Sequence, residues 1–245
     1  MELAGKTALV TGGAVRLGAA VARELATAGV HCIIHYRNSD QAGRALAEEI
    51  RALGVAAYLV QGDLAKPECV ESLWEDALSQ AGHIDILINS ASIFPETTLA
   101  EVTQENLSEN LAVNSLSPLY LARQLAATGK PGVVINFLDT MVRDYDKKHV
   151  SYHISKKVLH DFTRMMAVEF APTLRVNAVA PGLVLPPVGE DTAYLEGLKH
   201  SNLLQDYGCA EQISHAVIFL LVNEFITGQT IYIDGGRNLR GSMYE

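Results

Sequence analysis

Residues 6–18 read KTALVTGGAVRLG, a short run of strand-forming residues that passes through a glycine-containing turn into an amphipathic helical pattern. Such a turn lets the backbone approach a pyrophosphate, and the amides and dipole at the start of the helix favour its negative charge. A glycine-rich turn alone is a weak signal, but strand, turn and helix stand here in the required order. The segment predicts a dinucleotide-binding βα unit.

The same alternation of strand and helix patterns continues along the 245-residue chain. Helices are predicted over residues 17–28, 39–53, 67–81, 152–171 and 211–221, and residues 103–127 are predicted as one or two helices around Asn114. Strands are predicted at HCIIHY, VAAYLVQGD, HIDILINSA, GVVINFLD, LRVNAVAPG and TIYID. This order requires parallel strands with right-handed crossovers. We therefore predict an α/β fold, a Rossmann-type doubly wound parallel sheet in three layers, as a single domain over residues 1–245.

Between residues 183 and 207 the regular pattern weakens, and Pro186, Pro187 and Gly189 interrupt it. An irregular insert in a compact α/β domain is more often a lid over the site than a defect. We predict a substrate-loop insert here, with an ordinary surface loop as the alternative.

Composition excludes several classes of partner. The formal net charge of −9 gives no basic surface for nucleic acid or an anionic membrane. Three widely spaced cysteines, Cys32, Cys69 and Cys209, offer no metal-binding or redox pair. The N-terminal residues leave no room for a secretion signal, and no apolar run approaches the roughly 20 residues that span a bilayer. We expect a cytoplasmic protein with a small-molecule substrate and no metal, nucleic-acid or membrane partner.

The residues after the second predicted strand, Tyr36, Arg37, Asn38 and Ser39, favour one nucleotide over another. Rossmann enzymes that prefer NAD place an acidic side chain at this point, whereas those that prefer NADP place cationic and hydroxyl groups. Arg37 and Ser39 would pair with a 2′-phosphate through charge-assisted hydrogen bonds, so we predict NADPH. Asp40 keeps NAD open, although an acidic residue at a helix start has an ordinary capping role.

Tyr152 and Lys156 have the spacing Y-x-x-x-K, which puts both side chains on one face of a helix. A free phenol, with a pKa near 10, is a poor acid at neutral pH, and a neighbouring ammonium would lower that pKa. The pair therefore predicts proton transfer by Tyr152, assisted by Lys156.

The order of these motifs resembles the short-chain dehydrogenase/reductase family over nearly the whole chain. Gly12 and Gly18 match the first and last glycines of the family's T-G-x-x-x-G-x-G turn, and Arg16 replaces the middle one, as in pteridine reductases. Arg16 could meet the pyrophosphate and the substrate together, or it could be a solvated side chain. The resemblance also implies that Asn114 helps to organise the proton relay, that Lys156 binds the nicotinamide ribose and that Asp63 contacts adenine.

The cofactor-binding positions that follow from the turn, the second strand and the resemblance line the predicted nucleotide path. They are Gly12, Arg16, Leu17, Gly18, Tyr36, Arg37, Asn38, Ser39, Asp63, Leu64, Asn89, Ser90, Ala91, Tyr152, Lys156, Pro181 and Gly182.

Asp139 stands thirteen positions before Tyr152, where most members of the family have a serine that hydrogen-bonds the reacting carbonyl. An ionised carboxylate would repel a developing alkoxide, which argues against simple ketone reduction. Pteridine reductases resemble this chain in having aspartate here, where it can relay protons to the tyrosine. His149 or a nearby cation is a candidate for tuning that carboxyl, and a loop-capping Asp139 is the alternative.

Residues 89–94 read NSASIF and resemble the N-x-A-S-x-F element of pteridine reductases. A flat pterin could stack on Phe94 while Ser92 and Arg16 meet its polar edge, unless Phe94 belongs to the core. Arg237 and Arg240 resemble the C-terminus of dihydromonapterin reductases, and the resemblance implies a homotetramer in which Arg240 could contact a neighbour's substrate. Solvated or interface arginines are the alternative.

The substrate-binding candidates are thus Arg16, Ser92, Phe94, Asp139 and Tyr152, and the catalytic candidates are Asp139, Tyr152, Lys156 and Asn114. Together they predict NADPH-dependent reduction of a 7,8-dihydropterin, such as dihydromonapterin, dihydrobiopterin or dihydrofolate, to its tetrahydro form. An NADPH-dependent carbonyl or 3-oxoacyl reductase is the competing enzyme, and a non-catalytic NADPH-binding protein is the alternative of another class.

Overall fold

The computed structural model describes residues 1–187 and 189–239. Within them, seven parallel strands form one sheet in the order β3-β2-β1-β4-β5-β6-β7. The strands are β1 Thr7–Thr11, β2 His31–Tyr36, β3 Ala57–Gln61, β4 Ile86–Asn89, β5 Gly132–Phe137, β6 Leu174–Pro181 and β7 Thr230–Ile233. The strand order reverses direction between β1 and β4, and ligands of open α/β sheets bind at such a switch point.

Helices connect the strands. They are α1 Arg16–Thr27, α2 Asp40–Ala52, α3 Pro67–Ala81, α4 Gln104–Leu111, α5 Ser117–Ala127, α6 Val150–Glu169, α7 Thr192–Leu198 and α8 Ala210–Val222. A single π-helical turn, Ala112–Leu116, joins α4 to α5. The sequence predicted one or two helices here, and the π turn at its centre had no sequence signal.

Two apolar cores lie on opposite faces of the sheet. Neighbouring strand residues alternate between them: Ile34 belongs to the core that includes residues of α1, α2 and α8, whereas Ile33 belongs to the core that includes residues of α3, α5 and α6. Strands that are apolar on both faces are typical of parallel sheets covered by helices. The prediction of a doubly wound sheet in three layers is confirmed.

The insert is less irregular than its sequence indicated. The Asp191 side chain accepts a hydrogen bond from the Ala193 amide at 2.8 Å and thereby caps α7. Leu195 is the buried anchor of that helix. A short helix with one buried side chain has too little periodicity to be recognised from sequence.

Among the described residues, none of the helices is both long enough and apolar enough to cross a membrane. The same residues contain no group of three or more His, Cys, Asp or Glu side chains placed to hold a metal ion.

Candidate active site

The candidate site lies at the carboxyl ends of the strands, where the predicted phosphate turn follows β1. Gly12 has φ +62°, and a Cβ on it would stand 2.9 Å from the Ala91 Cα. A Cβ on Gly18 would stand 2.3 Å from the Gly12 carbonyl oxygen. Only glycine fits either position, so the turn folds back closely on the start of α1.

Arg16 occupies the left-handed region, with φ +54°. A residue with a Cβ pays about 1 kcal/mol or more in backbone energy there, so the conformation is imposed by the turn. The exposed guanidinium donates a hydrogen bond from Nη2 to the Pro186 carbonyl at 2.7 Å. Arg16 thus links the predicted phosphate turn to the insert, where sequence left open a freely solvated side chain.

The predicted nucleotide end opens into a cavity of about 510 Å³ lined by Arg37, Asn38, Gln61, Gly62 and Asp63. The structure therefore brings one of the two predicted 2′-phosphate residues, Arg37, together with the predicted adenine-contacting acid, Asp63, at one cavity, and Ser39 is not part of its lining.

Asp40 is occupied by its own neighbours. The Tyr36 hydroxyl donates to Asp40 Oδ1 at 2.7 Å, and Arg44 Nε donates to Oδ2 at 2.8 Å. These two bonds hold the pKa of Asp40 below its ordinary value, the bond from Arg44 having the larger effect. Ser39 precedes α2 without making a side-chain capping bond. Asp40 is therefore a helix-start residue engaged within the protein.

A buried histidine, which the sequence analysis did not single out, supports this end of the site. Gly12 N–H donates to His35 Nδ1 at 3.1 Å, and His35 Nε2 lies 3.1 Å from the Gly62 carbonyl oxygen. Burial lowers the pKa of His35 to about 4. The one available signal was a histidine inside an otherwise apolar strand.

The segment after β4 is fastened to β1 by Thr11, whose hydroxyl accepts hydrogen bonds from the Ser90 and Ala91 amides, both at 3.1 Å. Asn89 instead donates to Asn136 Oδ1 at 2.9 Å inside the sheet. Of these predicted cofactor-binding residues, Asn89 is thus engaged in the interior, whereas Ser90 and Ala91 border the phosphate turn.

Four other predicted positions frame the site without forming a hydrogen-bonded cluster. Leu17 is half-buried against the core, and Leu64 is buried there. The Gly182 amide donates to the Ile233 carbonyl at 2.9 Å, directly after Pro181 ends β6. Packing and backbone pairing account for these contacts.

The catalytic candidates meet at the end of β5 and the start of α6. The Tyr152 hydroxyl donates to Asp139 Oδ2 at 2.9 Å, and Asp139 Oδ1 accepts the Met141 amide at 2.7 Å. Lys156 Nζ donates to the Phe137 carbonyl at 2.7 Å and lies 5.7 Å from the centre of the Tyr152 ring. The structure brings Asp139 and Tyr152 into hydrogen-bond contact, and Asp139 also caps its loop through the Met141 amide, because each carboxylate oxygen has its own partner.

The acidity expected of Tyr152 is not found. Burial raises the pKa of Tyr152 well above its ordinary value, and the charge and hydrogen bond of Asp139 raise it further. Burial also lowers the pKa of Lys156 to about 8, against the opposing charge of Asp139. The expectation that Lys156 makes the phenol more acidic is wrong for the free protein, because Asp139 adjoins the hydroxyl whereas Lys156 is bonded to a backbone carbonyl.

Asn114 lies in the π turn and is completely buried. Its Oδ1 accepts from the Ser92 hydroxyl at 3.1 Å and from the Ile93 amide at 2.9 Å. Its Nδ2 donates to Ser155 Oγ at 2.9 Å and to the Ile93 carbonyl at 3.1 Å. Asn114 therefore joins the loop after β4 to helix α6, and π turns often mark functional sites because they reorient a side chain in this way.

Phe94 is not a core residue, since 49% of it is exposed. Its ring stacks on His149 with centroids 3.8 Å apart and packs edge-on against Tyr152 at 4.5 Å. The core alternative for Phe94 is therefore wrong, and its ring borders the phenol.

His149 has a different role from the one expected. Its Nδ1 lies 2.8 Å from Asp146 Oδ1, and Asp146 Oδ2 lies 3.0 Å from His153 Nε2. Burial alone would raise the pKa of Asp146, but the hydrogen bonds from His153 and His149 hold it below its ordinary value. His149 makes no hydrogen bond to Asp139 in the described structure, so it cannot tune that carboxyl by direct contact.

The C-terminal turn reaches the catalytic loop through Asp234. Its carboxylate accepts the Thr140 hydroxyl together with the Gly236 and Asn238 amides. Arg237 begins a short 3₁₀ turn, Arg237–Leu239. Arg240, predicted to reach a neighbouring subunit, lies outside the described residues.

Comparison with known proteins places these features among reductases. A family model described as enoyl-(acyl carrier protein) reductase matches residues 13–238. The uncharacterized oxidoreductase MT0954 of Mycobacterium tuberculosis is 34% identical, with 94% of this chain and 91% of that protein covered. The 3-oxoacyl-[acyl-carrier-protein] reductase FabG of Staphylococcus epidermidis is 28% identical over 94% of this chain and 98% of its own. Among solved structures, FolM alternative dihydrofolate reductase 1 of Brucella canis, complexed with NADP, has a TM-score of 0.90 and 33% identity, and the match covers 98% of this chain and 96% of that one.

Proposed function

This chain belongs to the short-chain dehydrogenase/reductase family and is an NADP-dependent oxidoreductase, and we propose that it reduces the ring C=N bond of a 7,8-dihydropterin to the tetrahydro form. Dihydromonapterin and dihydrobiopterin are the substrates proposed first, and dihydrofolate is a further candidate. The observation that carries the proposal is the 2.9 Å hydrogen bond from the Tyr152 hydroxyl to Asp139.

The residues present fit NADPH. The turn at Gly12 and Gly18 is a cradle that a Cβ would fill, and Arg37 offers a cation beside the cavity that Asp63 also lines. When bound, NADPH supplies the hydride. Lys156 is the residue proposed to bind the nicotinamide ribose, and Gly12 and Arg16 are proposed to bind the pyrophosphate.

Asp139 is poorly suited to a carbonyl substrate. Reduction of a ketone builds negative charge on oxygen, and an ionised carboxylate at the usual serine position would oppose that charge. Reduction of the pterin C6=N5 bond instead gives a neutral amine once N5 receives a proton. A carboxyl and a phenol in hydrogen-bond contact are suited to deliver that proton.

The Asp139–Tyr152 pair also determines how the proton moves. A phenolate beside an ionised carboxylate would place two negative charges in a buried position, which the raised pKa of Tyr152 reflects. We propose that Tyr152 gives its proton to N5 as a proton from water reaches the Asp139–Tyr152 pair, so that no phenolate forms beside the carboxylate. Asp139 is half-buried, so water can supply that proton. One hydride to C6 and one proton to N5 balance the reaction.

The remaining side chains would hold the substrate. Phe94 is half exposed and borders Tyr152, so it can stack on a flat ring. Asn114 orients the Ser92 hydroxyl beside it, and Arg16 lies between the turn and the insert. The similarity to FolM alternative dihydrofolate reductase 1 of Brucella canis supports the same substrate class.

The deciding experiment follows NADPH absorbance with dihydromonapterin, dihydrobiopterin, dihydrofolate and a panel of ketones. We expect the dihydropterins to be preferred by a wide margin. Asp139→Asn keeps an oxygen for the Met141 amide but cannot carry a proton, so it should lower kcat for dihydropterin about 100-fold. A wide preference for ketones would overturn the proposal.

A carbonyl or 3-oxoacyl reductase is the second candidate, and the similarity to FabG of Staphylococcus epidermidis favours it. Asp139→Ser separates the two candidates, because it restores the hydroxyl that a carbonyl reductase uses. Activity that is retained or improved on ketones would favour this second candidate. Tight NADPH binding without oxidation by any carbonyl or pterin would instead favour a non-catalytic binding protein.

We also propose that the enzyme is a cytoplasmic homotetramer. Each chain would form a single domain, with residues 183–207 as its substrate loop. The three free cysteines suit a reducing compartment. Size-exclusion chromatography with light scattering tests the assembly, and a monomeric mass would contradict it.

A further inference from the structure

His35 lies near the end of β2, and only 2% of it is exposed. Its ring has two hydrogen-bonding partners, and both belong to the backbone. The Gly12 amide lies 3.1 Å from Nδ1, and the Gly62 carbonyl oxygen lies 3.1 Å from Nε2. The ring therefore spans from the turn after β1 to the turn after β3.

These partners determine the protonation of the ring. A backbone amide can only donate, so Nδ1 must accept, and a carbonyl can only accept, so Nε2 must carry the hydrogen. The ring is neutral in this arrangement. Burial favours the same form, since it lowers the pKa of His35 to about 4 even though Asp63 and the Gly62 bond act in the opposite direction.

The His35 ring connects β2 to the turn after β1 just beyond the last paired residues of these two strands. Pairing of β1 with β2 ends at Val10 and Ile34. Beyond that point the turn is attached to β2 by the Gly13 amide, which donates to the His35 carbonyl at 2.9 Å, and by the imidazole. The imidazole is thus one of two attachments that determine where the Gly12 amide lies.

Each ring nitrogen is bonded to a backbone segment that belongs to a proposed dinucleotide-binding region. Gly12 belongs to the turn proposed to hold the pyrophosphate. Gly62 lines the cavity at the nucleotide end and immediately precedes Asp63. A shift of either backbone segment would change the spacing between the two binding regions, which must match a ligand of constant length.

We propose that His35 is a positioning residue for NADPH: its ring keeps the phosphate turn at Gly12 in register with the nucleotide-binding cavity at Gly62 and Asp63. His35 does not contact the cofactor in this proposal. It acts by holding two backbone segments, the turn at Gly12 and the turn at Gly62, that contain or adjoin residues proposed to bind the cofactor.

Two substitutions remove the two hydrogen bonds of the His35 ring one at a time. In His35→Asn, the amide oxygen stands where Nδ1 stood and can still accept from Gly12, but Gly62 loses its donor. In His35→Gln, the amide nitrogen can reach the Gly62 carbonyl, but Gly12 loses its acceptor. The probes are NADPH, which engages both regions, and adenosine 2′-monophosphate, which has no pyrophosphate.

His31 provides a matched control. It begins the same strand, and its Nδ1 accepts the Ala56 amide at 3.0 Å. The bond has the same kind of donor and acceptor as that of His35, but it lies at the opposite end of the sheet from the site. His31→Gln should lower the melting temperature and leave both dissociation constants unchanged.

Dissociation constants come from titration calorimetry, so the readout does not depend on turnover. We expect His35→Gln to weaken NADPH about tenfold and adenosine 2′-monophosphate less than twofold. We expect His35→Asn to weaken adenosine 2′-monophosphate about threefold. At saturating NADPH, kcat should change little in either variant.

The proposal is overturned if His35→Gln and His31→Gln lower the melting temperature alike while neither changes NADPH affinity. Equal weakening of both ligands by His35→Gln would also overturn it, since that result describes a general loss of structure. If His35→Gln fails to fold, His35→Asn decides alone: weaker adenosine 2′-monophosphate binding supports the proposal, and wild-type affinity for both ligands overturns it.

Discussion

The proposed dinucleotide end and the catalytic end of the site are built from different groups. The dinucleotide end, around Gly12 and Gly62, presents backbone amides and carbonyls that the sheet and one buried imidazole hold in place. The catalytic end, around Asp139 and Tyr152, presents side chains that are positioned by hydrogen bonds to each other. Backbone groups are common to all chains, so the first end can serve a whole family, whereas side chains at the second end can give each member its own chemistry.

The largest effect tests the catalytic end. Tyr152→Phe removes the proposed proton donor and one hydrogen bond, and it should lower kcat about 1,000-fold. NADPH affinity should stay within twofold, because the dinucleotide end is left intact. Single-turnover absorbance and calorimetry measure the two quantities. Turnover within tenfold of wild type would remove Tyr152 from the mechanism.

The next effect tests the dinucleotide end. Gly18→Ala would place a Cβ 2.3 Å from the Gly12 carbonyl oxygen, so the turn must open. We expect the free energy of unfolding to fall by about 3 kcal/mol, the upper part of the range for overpacking, together with weaker NADPH binding. Gly197→Ala is the control, since nothing beyond its chain neighbours and the backbone of its own helix lies within 4 Å of its new Cβ. Urea denaturation compares the free energies of unfolding of the two variants. Equal values would contradict the prediction, because they would show that the turn accommodates the Cβ at little cost.

Lowering the pH should reduce the free energy of unfolding, because His35 is neutral in the folded protein. Its pKa is about 4 in the folded protein against 6.5 as the ordinary value. Between these values the unfolded chain binds a proton that the folded protein does not, so stability falls as pH falls from 6.5 towards 4. At pH 5 the loss should be about 2 kcal/mol relative to pH 7. Urea denaturation at both values should show that loss in wild type and a smaller one, by about this amount, in His35→Asn; identical losses would contradict the assignment.

The smallest expected effect is on substrate binding at the catalytic end. His149→Ala removes the ring stacked on Phe94, and the KM for dihydropterin should rise about fivefold with kcat nearly unchanged. His149→Phe keeps an aromatic partner and should recover most of the affinity. Steady-state kinetics on both variants distinguish stacking from the bond to Asp146. A fall in kcat without a change in KM would argue against this positioning role.

Much of the dinucleotide end was predictable from sequence. The strand–turn–helix order at residues 6–18 predicted the fold and the turn, since no other residue satisfies the close contacts at Gly12 and Gly18. Strand β2 was predicted with its observed bounds because its residues are apolar on both faces. His35 was missed, because its two partners come from segments 23 and 27 residues away.

The catalytic end was predicted as a set of residues but not as an arrangement. Spacing placed Tyr152 and Lys156 on one helix face, and the family resemblance added Asp139; in the structure Asp139 contacts the Tyr152 hydroxyl, and Lys156 Nζ lies 5.7 Å from the Tyr152 ring centre. Spacing did not indicate which neighbour would control the phenol, because that depends on distances of a few ångströms and on burial. The stack of Phe94 on His149 was missed for a similar reason: it depends on how two loops pair at Thr97 and His149.

The left-handed backbone of Arg16 has a consequence for engineering. Glycine at position 16 would relieve about 1 kcal/mol of unfavourable dihedral energy, partly offset by a more flexible unfolded chain. Selection for heat resistance alone would weigh that gain against loss of the 2.7 Å hydrogen bond from Arg16 to the Pro186 carbonyl, whereas selection that also scores turnover would test the proposed binding role of the guanidinium. Thermostable descendants of this reductase should be sequenced at that codon before their kinetics are compared.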